Sequence, residues 1–574
     1  MILQALKEYY DRKAADPASE MAPSGWEWKE IPFVLVLSQD GTPVSLNSTV
    51  EGAGKNKRAK CYLIPQGVKK TSGIASNILW ENPEYALGVA IKGSPERVAE
   101  QHHAFKQRLA DLGDIPDSGL NAVKKFMEQP DKASILQMFG DKWSQFIESG
   151  ANITFQLAGE TRIVANSPLI KETISNKLSA IIDKLAVCLI TGEEDSIERL
   201  HTAIKGVWGA QSSGANIVSF NSAAFASFGK KQGCNSPIGK VAAFAYTTAL
   251  NHLLRKDSKQ RMQVGDASTI FWSAKPTIFE EQMLDFFAEP PKDDPDRNSR
   301  AVESLFRAPQ TGTIPEDREA ETCFYVLGLS PNASRISVRF WIMDTVAGMA
   351  VKIRQHFEDL RIVHGPKEHE AISLFRLLVS TAALGKSENI APNLSGDMMR
   401  SILGGTQYPQ TILQAIVRRI RTEHEINYPR AAFIKACINR SIRFNNHNQE
   451  REITVSLDTT NNNIGYRLGR LFSVLERIQE RANPGINATI RDRFYGAASG
   501  APVTVFGNLM RLKNHHLSKL DNAGERINYE KLIGEIMSGI EDFPAHLPLA
   551  DQGRFAIGYY HQKQDFFTKK TDKE

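Results

Sequence analysis

Lys55, Lys57, Arg58, Lys60, Lys69 and Lys70 fall between Glu51 and Asn77 among glycines and small hydroxyl residues, and only Glu51 opposes them. Cations, hydroxyls and backbone N–H groups together replace the hydration of a phosphate, so this tract suits an anionic partner. The stretch Gln66-Gly67-Val68-Lys69-Lys70-Thr71-Ser72-Gly73 has neither helical nor strand periodicity and is expected to be an exposed loop. A solvated surface loop with no ligand is the alternative.

A second segment, Gln211 to Asn221 followed by Phe225, Gly229-Lys230-Lys231-Gln232-Gly233 and Asn235-Ser236-Pro237, interleaves small polar residues with Phe220, Phe225 and Phe228. Lys230 and Lys231 could hold phosphate while the rings stack on bases. Phenylalanine is more often a core residue, so the preferred expectation is that the three rings are buried and the loop caps a helix. Farther on, Arg467, Arg470, Arg477 and Arg481 share one stripe of a helical pattern, and Leu468, Leu471, Phe472, Leu475 and Ile478 share another.

Motifs for catalysis fail on inspection. Ser380-Thr381-Ala382-Ala383-Leu384-Gly385-Lys386-Ser387 has Ser380 where a P-loop needs its first glycine, and a helical segment precedes it. It reads as a helix end with Gly385 as the stop residue. His102-His103 and His515-His516 point to different faces of a helix, and His364 and His369 lack protease spacing, so surface histidines are expected and no metal site. Glu193-Glu194 and Glu280-Glu281 read as helix-start charges. With no nucleophile elbow and no two-metal carboxylate cluster, the sequence favours a binding protein over an enzyme, with no cofactor.

The elements that must position these groups divide the chain. At 574 residues, two or more domains are expected. The hydrophobic share of 41% and charged share of 24% are ordinary for a soluble protein, and no apolar run is long enough for a bilayer. Met1 to Lys7 resembles an amphipathic helix and not a signal peptide. Five cysteines, none in a C-x-x-C pair, fit a reducing cytoplasm. A net charge of +5 places any polyanion surface in local clusters.

The expected fold class is α+β, with a mixed α/β N-terminal domain at 1–345 and a C-terminal α-helical bundle at 346–574. Strands are expected at Ile31–Leu37 and Thr42–Leu46 (a hairpin), Ala59–Ile64, Ile153–Leu157, Ala186–Thr191, Asn216–Phe220, Thr269–Trp272, Cys323–Leu329 and Ser337–Met343. Helices are expected at Pro95–Asp111 and Glu194–Val207, with a loose connection at Glu289–Arg300. Beyond Asp344 helical spacing covers Val346–Leu360, Glu370–Ala383, Gln410–Glu423, Tyr466–Arg481 and Arg526–Ile540.

Several separated motifs carry a resemblance. They are Thr71-Ser72-Gly73-Ile74 through Asn77 and Leu79 to Asn82, Tyr85, Leu87 and Gly88; Val218-Ser219-Phe220-Asn221 with Ala224-Phe225, Asn235, Pro237 and Tyr246 to Asn251; and Tyr408-Pro409, Arg419-Ile420-Arg421, Leu468-Gly469-Arg470-Leu471, Pro484 to Ala488 and Asp492-Arg493-Phe494. Together they resemble the large subunit of the type I-C (Dvulg subtype) CRISPR Cascade surveillance complex. The resemblance implies an RNA-guided DNA-binding assembly in which this subunit reads the PAM, a short motif beside the target, through its N-terminal domain. It further implies help in duplex opening and R-loop stabilisation, and recruitment of a separate helicase-nuclease. Implied partners are guide RNA, double-stranded target DNA, the backbone and guide-processing subunits, and a small subunit resembling 455–574, made from an internal start near Val455. A nuclease or guide-processing enzyme without a known motif, or a purely structural scaffold, are the alternatives.

In that setting Gln66, Lys69, Lys70, Thr71, Ser72 and Gly73 are expected at a DNA groove, with Gly67 and Gly73 allowing close approach. Asn77 carries both donor and acceptor and is expected to read a base edge, with a positioning role as the alternative. Lys55, Lys57, Arg58 and Lys60 are expected to hold phosphate. Arg467, Arg470, Arg477, Arg481, Arg491 and Arg493 are expected along a strand backbone, with Arg418, Arg419 and Arg421 a weaker set, and a solvated helix face as the alternative.

Overall fold

The computed structural model describes the chain apart from residues 17–18, 53–56, 69, 71–72, 181–184, 289–296, 298–299, 304, 306–319, 446–449 and 569–574. Lys55, Lys69, Thr71 and Ser72, and most of the expected connection at Glu289–Arg300, lie outside the described residues. Two compact units form: Met1–Lys205 with Gln211–His252, and Gly206–Ala210 with Leu253–Glu574.

The first unit is mixed. Its strands are β1 (Trp26–Glu30), β2 (Phe33–Leu37), β3 (Pro43–Ser48), β4 (Val50–Glu51), β5 (Arg58–Ala59), β6 (Cys61–Pro65), β7 (Trp80–Glu81) and β8 (Ile153–Leu157). The expected hairpin is β2–β3, turning at Gly41 with φ of 88°. It belongs to a sheet of order β3-β2-β8-β7 with β2 and β8 parallel, while β1 pairs antiparallel with β6. Phe33, Leu35, Ile153 and Phe155 alternate onto one face and share a core with Phe105, Leu120, Phe126 and Phe146 from the covering helices.

Expectation and structure part company between Leu185 and Phe220. The strand expected at Ala186–Thr191 is β9 (Leu185–Val187), and the chain then turns, with Gly192 N–H donating to the Cys188 carbonyl. No helix forms over Glu194–Val207: β10 (Glu194–Ser196) pairs with β9, and the rest is irregular. Its backbone groups bond far away, Glu198 N–H donating to the Ile238 carbonyl and Ile204 bridging Ala215. Non-local partners thus replace the helical ladder. Asn216–Phe220 is not a strand.

The second unit holds a four-stranded antiparallel sheet of β11 (Arg261–Val264), β12 (Ala267–Ser273), β13 (Cys323–Asn332) and β14 (Arg335–Thr345). The β13–β14 hairpin turns at Ala333 with φ of 52°. At Thr345 strands give way to helices, since its side chain caps Val346–Leu360 by accepting from Gly348 N–H. The expected 345/346 border therefore marks a change of element type, yet it lies inside this unit. Phe324, Val326 and Phe340 of the sheet share one core with Met349, Ile353 and the later helices. Ser380–Ser387 holds a helix end, but Gly385 is not its stop residue: the helix ends at Thr381 with Ala382 extended, and Leu384 and Gly385 follow in left-handed conformation. Among the described residues no helix is long and apolar enough to cross a membrane.

Candidate nucleic-acid interface

The loop after β6 is latched at both ends. Gln66 N–H donates to the Gly25 carbonyl and its Nε2 to Thr202 Oγ1 at 2.9 Å. Gly67 N–H donates to Glu27 Oε1 at 2.9 Å, and Val68 N–H to Asn77 Oδ1 at 2.9 Å. A Cβ at Gly67 would press on the Trp80 ring at 3.0 Å, so glycine there serves packing against protein rather than approach to a groove. At Gly73 that Cβ would meet nothing. Asn77 is only 5% exposed, and its N–H donates to Glu81 Oε1 at 3.2 Å. Asn77 is expected to read a base edge, with positioning as the alternative; here it is buried and its carboxamide oxygen accepts from Val68 N–H, the geometry of the positioning alternative.

Glu81, itself buried, pairs with Lys70 Nζ, which lies 3.7 Å from the Tyr85 ring centre. Alternation along β1 turns Glu27 and Lys29 to the same side, where Lys29 Nζ sits 4.0 Å from the Trp80 ring centre. Burial pulls the Lys29 ammonium below its ordinary pKa; Glu27 and Glu81 oppose this, and Lys205 and Lys70 add to it. Three ammonium groups near two carboxylates leave an excess of positive charge beside the latched loop. On β5 and its flanks Lys57, Arg58 and Lys60 are exposed, and Lys57 and Arg58 have no ion-pair partner among the described residues. These three are available to an anion.

The segment around Lys230 and Lys231 reverses the preferred expectation that its three phenylalanine rings are buried. Residues 221–231 are all exposed, including Phe225 and Phe228, and only Phe220 is half-buried. Arg199 Nη1 donates to Gln232 Oε1 at 3.0 Å, and a Cβ at Gly233 would strike the Glu198 carbonyl. The segment Glu198–Thr202 therefore seats the base of this loop at one end and holds Gln66 at the other.

The expected arginine stripe does not survive as a surface. Gly465 and Gly469 let helix Ile464–Ala482 touch helix Leu549–Asp565 backbone to backbone, and every residue from Gly465 to Glu476 is buried. Arg470 is 0% exposed, with Nε on Gln562 Oε1 at 3.1 Å and Nη2 on Glu535 Oε1 at 3.0 Å. Arg467 is 8% exposed and donates to the Ile536 carbonyl at 3.2 Å and to Asn462 Oδ1 at 2.6 Å. Neither has a face left for a strand, which corrects the expectation for both: they tie the bundle together. Arg477 pairs with Glu480 at 3.4 Å, Arg481 is held by both oxygens of Glu525, and Arg491 faces Glu476 at 3.8 Å. Arg493 is exposed and unpaired among the described residues, as are Arg418 and Arg421. The Arg421 guanidinium lies over Gly500, where a Cβ would sit 3.5 Å from Nη2.

His102 also departs from expectation. It is half-buried, its Nδ1 is 2.8 Å from the Tyr85 carbonyl, and burial takes its pKa down to about 4. Among the described residues no three His, Cys, Asp or Glu side chains converge as metal ligands.

The model of one protein family, described as CRISPR-associated protein (Cas_Csd1), matches residues 6–567. The chain belongs to this family. No curated protein sequence matches it. In this Cas_Csd1 protein the residues that organise the basic loop are Glu27, Lys29, Trp80, Glu81, Tyr85 and Lys205, none of which the tract itself announces. Only the i, i+2 placement of Glu27 and Lys29 on β1 is a readable signal; the rest are brought in by the fold.

Proposed function

We propose that this chain is the large subunit of an RNA-guided type I-C Cascade surveillance complex. It recognises the PAM in duplex DNA, aids opening and R-loop stabilisation, recruits the helicase-nuclease and has no catalytic role of its own. The observation that carries this reading is the backbone latched at Gln66, Gly67, Val68 and Asn77 beside Lys29, Lys70 and Lys205, with the exposed cations Lys57, Arg58 and Lys60 at the other end of β6. A pinned backbone beside excess positive charge can hold a duplex in register through phosphates while the loop meets the groove. Arg418, Arg421 and Arg493 suit a strand backbone, and Lys230 and Lys231 phosphate. Guide pairing reads the sequence in such an assembly, which leaves the protein a short motif and the backbone to recognise.

The test is titration of the assembled complex on matched DNA with correct and altered PAM, across a salt series. Replacing Lys57, Arg58 and Lys60 by Ala should weaken binding to all sites and lower the salt slope by about one unit per lost contact. A scaffold with no DNA contact predicts an unchanged slope, and that result would reject the reading.

A further inference from the structure

We propose that Phe228 stacks on an unpaired base of a single-stranded nucleic acid while Lys230 and Lys231 hold the adjoining phosphates. This rests on the nucleic-acid reading above and adds a residue and a ligand form to it. Phe228 is 97% exposed, although nothing forces a large ring into water at that position. Its backbone is left-handed with φ of 50°, followed by Gly229 at 68° and Gln232 at 47°. A non-glycine residue in this region costs about 1 kcal/mol or more, and such cost is met only where surrounding structure over-determines it.

Here the surroundings do so. The Asn235 side chain accepts from Ser227 N–H at 2.9 Å and donates to the Lys230 and Gln232 carbonyls at 3.2 and 2.9 Å. Phe228 is thus held at the apex of a braced turn, which lowers the entropy lost when a ligand engages it. Lys230 lies within about 7 Å of chain from Phe228, so a nucleotide stacked on the ring places its phosphates near both ammonium groups.

Charge selects the class of ligand. Lys230 and Lys231 are both exposed two and three residues from the ring, and no Asp or Glu falls between Arg199 and His252 in the sequence. An apolar ring beside two exposed lysines fits a polyanion with π-faces. A protein socket for an apolar knob would need no such charge.

The experiment titrates the full chain with a fluorescently labelled single-stranded oligodeoxynucleotide, and with the same strand carrying 2-aminopurine. F228A and F228L should each weaken binding about tenfold, as expected for loss of one stacked base, and abolish the 2-aminopurine change. F228Y should retain both. Lys230→Ala with Lys231→Ala should lower the salt slope by about 1.4. Wild-type affinity in F228A overturns the proposal, and F228L binding like wild type assigns the ring to an apolar protein socket instead. If PAM-dependent duplex binding by the assembled complex persists in either case, only the stacking residue falls; if that binding is also absent, the reading beneath it falls too.

Discussion

Arg470 and Arg493 have the same side chain in opposite circumstances. Arg470 is enclosed, so replacing it with Ala leaves Gln562 and Glu535 without their donor and opens a cavity, at a cost of about 3 kcal/mol. Arg493 points to solvent, and Arg493→Ala should leave stability within about 0.5 kcal/mol while lowering the salt slope of DNA binding by about one. Urea midpoints of the two variants, read beside DNA titrations, separate the roles. A stable Arg470→Ala protein would contradict the burial argument. Asn77 follows the same logic: Asn77→Ala frees Val68 N–H and should cost about 1 kcal/mol without changing the ratio of affinities between PAM variants. Residue type and spacing identified these side chains in the sequence, but spacing cannot say which side of a helix another helix will cover.

Helix Ile464–Ala482 shows where that information lies. Its apolar stripe was legible because a period of 3.6 is local, as were Val346–Leu360 and Gln410–Glu423. Gly465 and Gly469 add a second contact face that hydrophobicity does not mark, and that face draws Arg467 and Arg470 inward. Gly469→Ala should therefore act as an insertion into packed backbone, since its Cβ would collide with the Phe555 carbonyl. Overpacking of this kind costs about 1–3 kcal/mol, which a lowered urea midpoint would register; an unchanged midpoint would mean the helices separate freely. Segments whose partners are distant in sequence were not legible. Glu194–Val207 was expected as a helix but is fixed by Ile238 and Ala215, and the latch around Gln66 draws on Gly25, Glu27, Asn77 and Thr202.

At the scale of the whole molecule, stability should depend on acid in a way the net charge of +5 does not foretell. His356 and His561, both fully buried in the second unit, have Nδ1 atoms 2.5 and 2.9 Å from the hydroxyls of Tyr408 and Tyr466. Burial takes His561 down to about 3 and His356 well below the ordinary histidine value; Arg440 adds to the effect at His356 and Lys435 at His561, where Asp458 opposes it. Below pH 6.5 the unfolded chain binds protons at these positions that the folded chain refuses, so stability falls as pH falls. Each histidine then removes about 1.4 kcal/mol by pH 5.5, and the pair about 3 kcal/mol, while above about pH 8 neither contributes a slope. Urea unfolding followed at pH 7.5 and 5.5 should show this loss in the second unit's transition. His561→Gln, less stable at pH 7.5 for want of packing, should halve the difference between the two conditions. Equal midpoints at both pH values in the unaltered chain would mean that the buried rings accept protons without strain, and the packing argument for the C-terminal helices would fail with them.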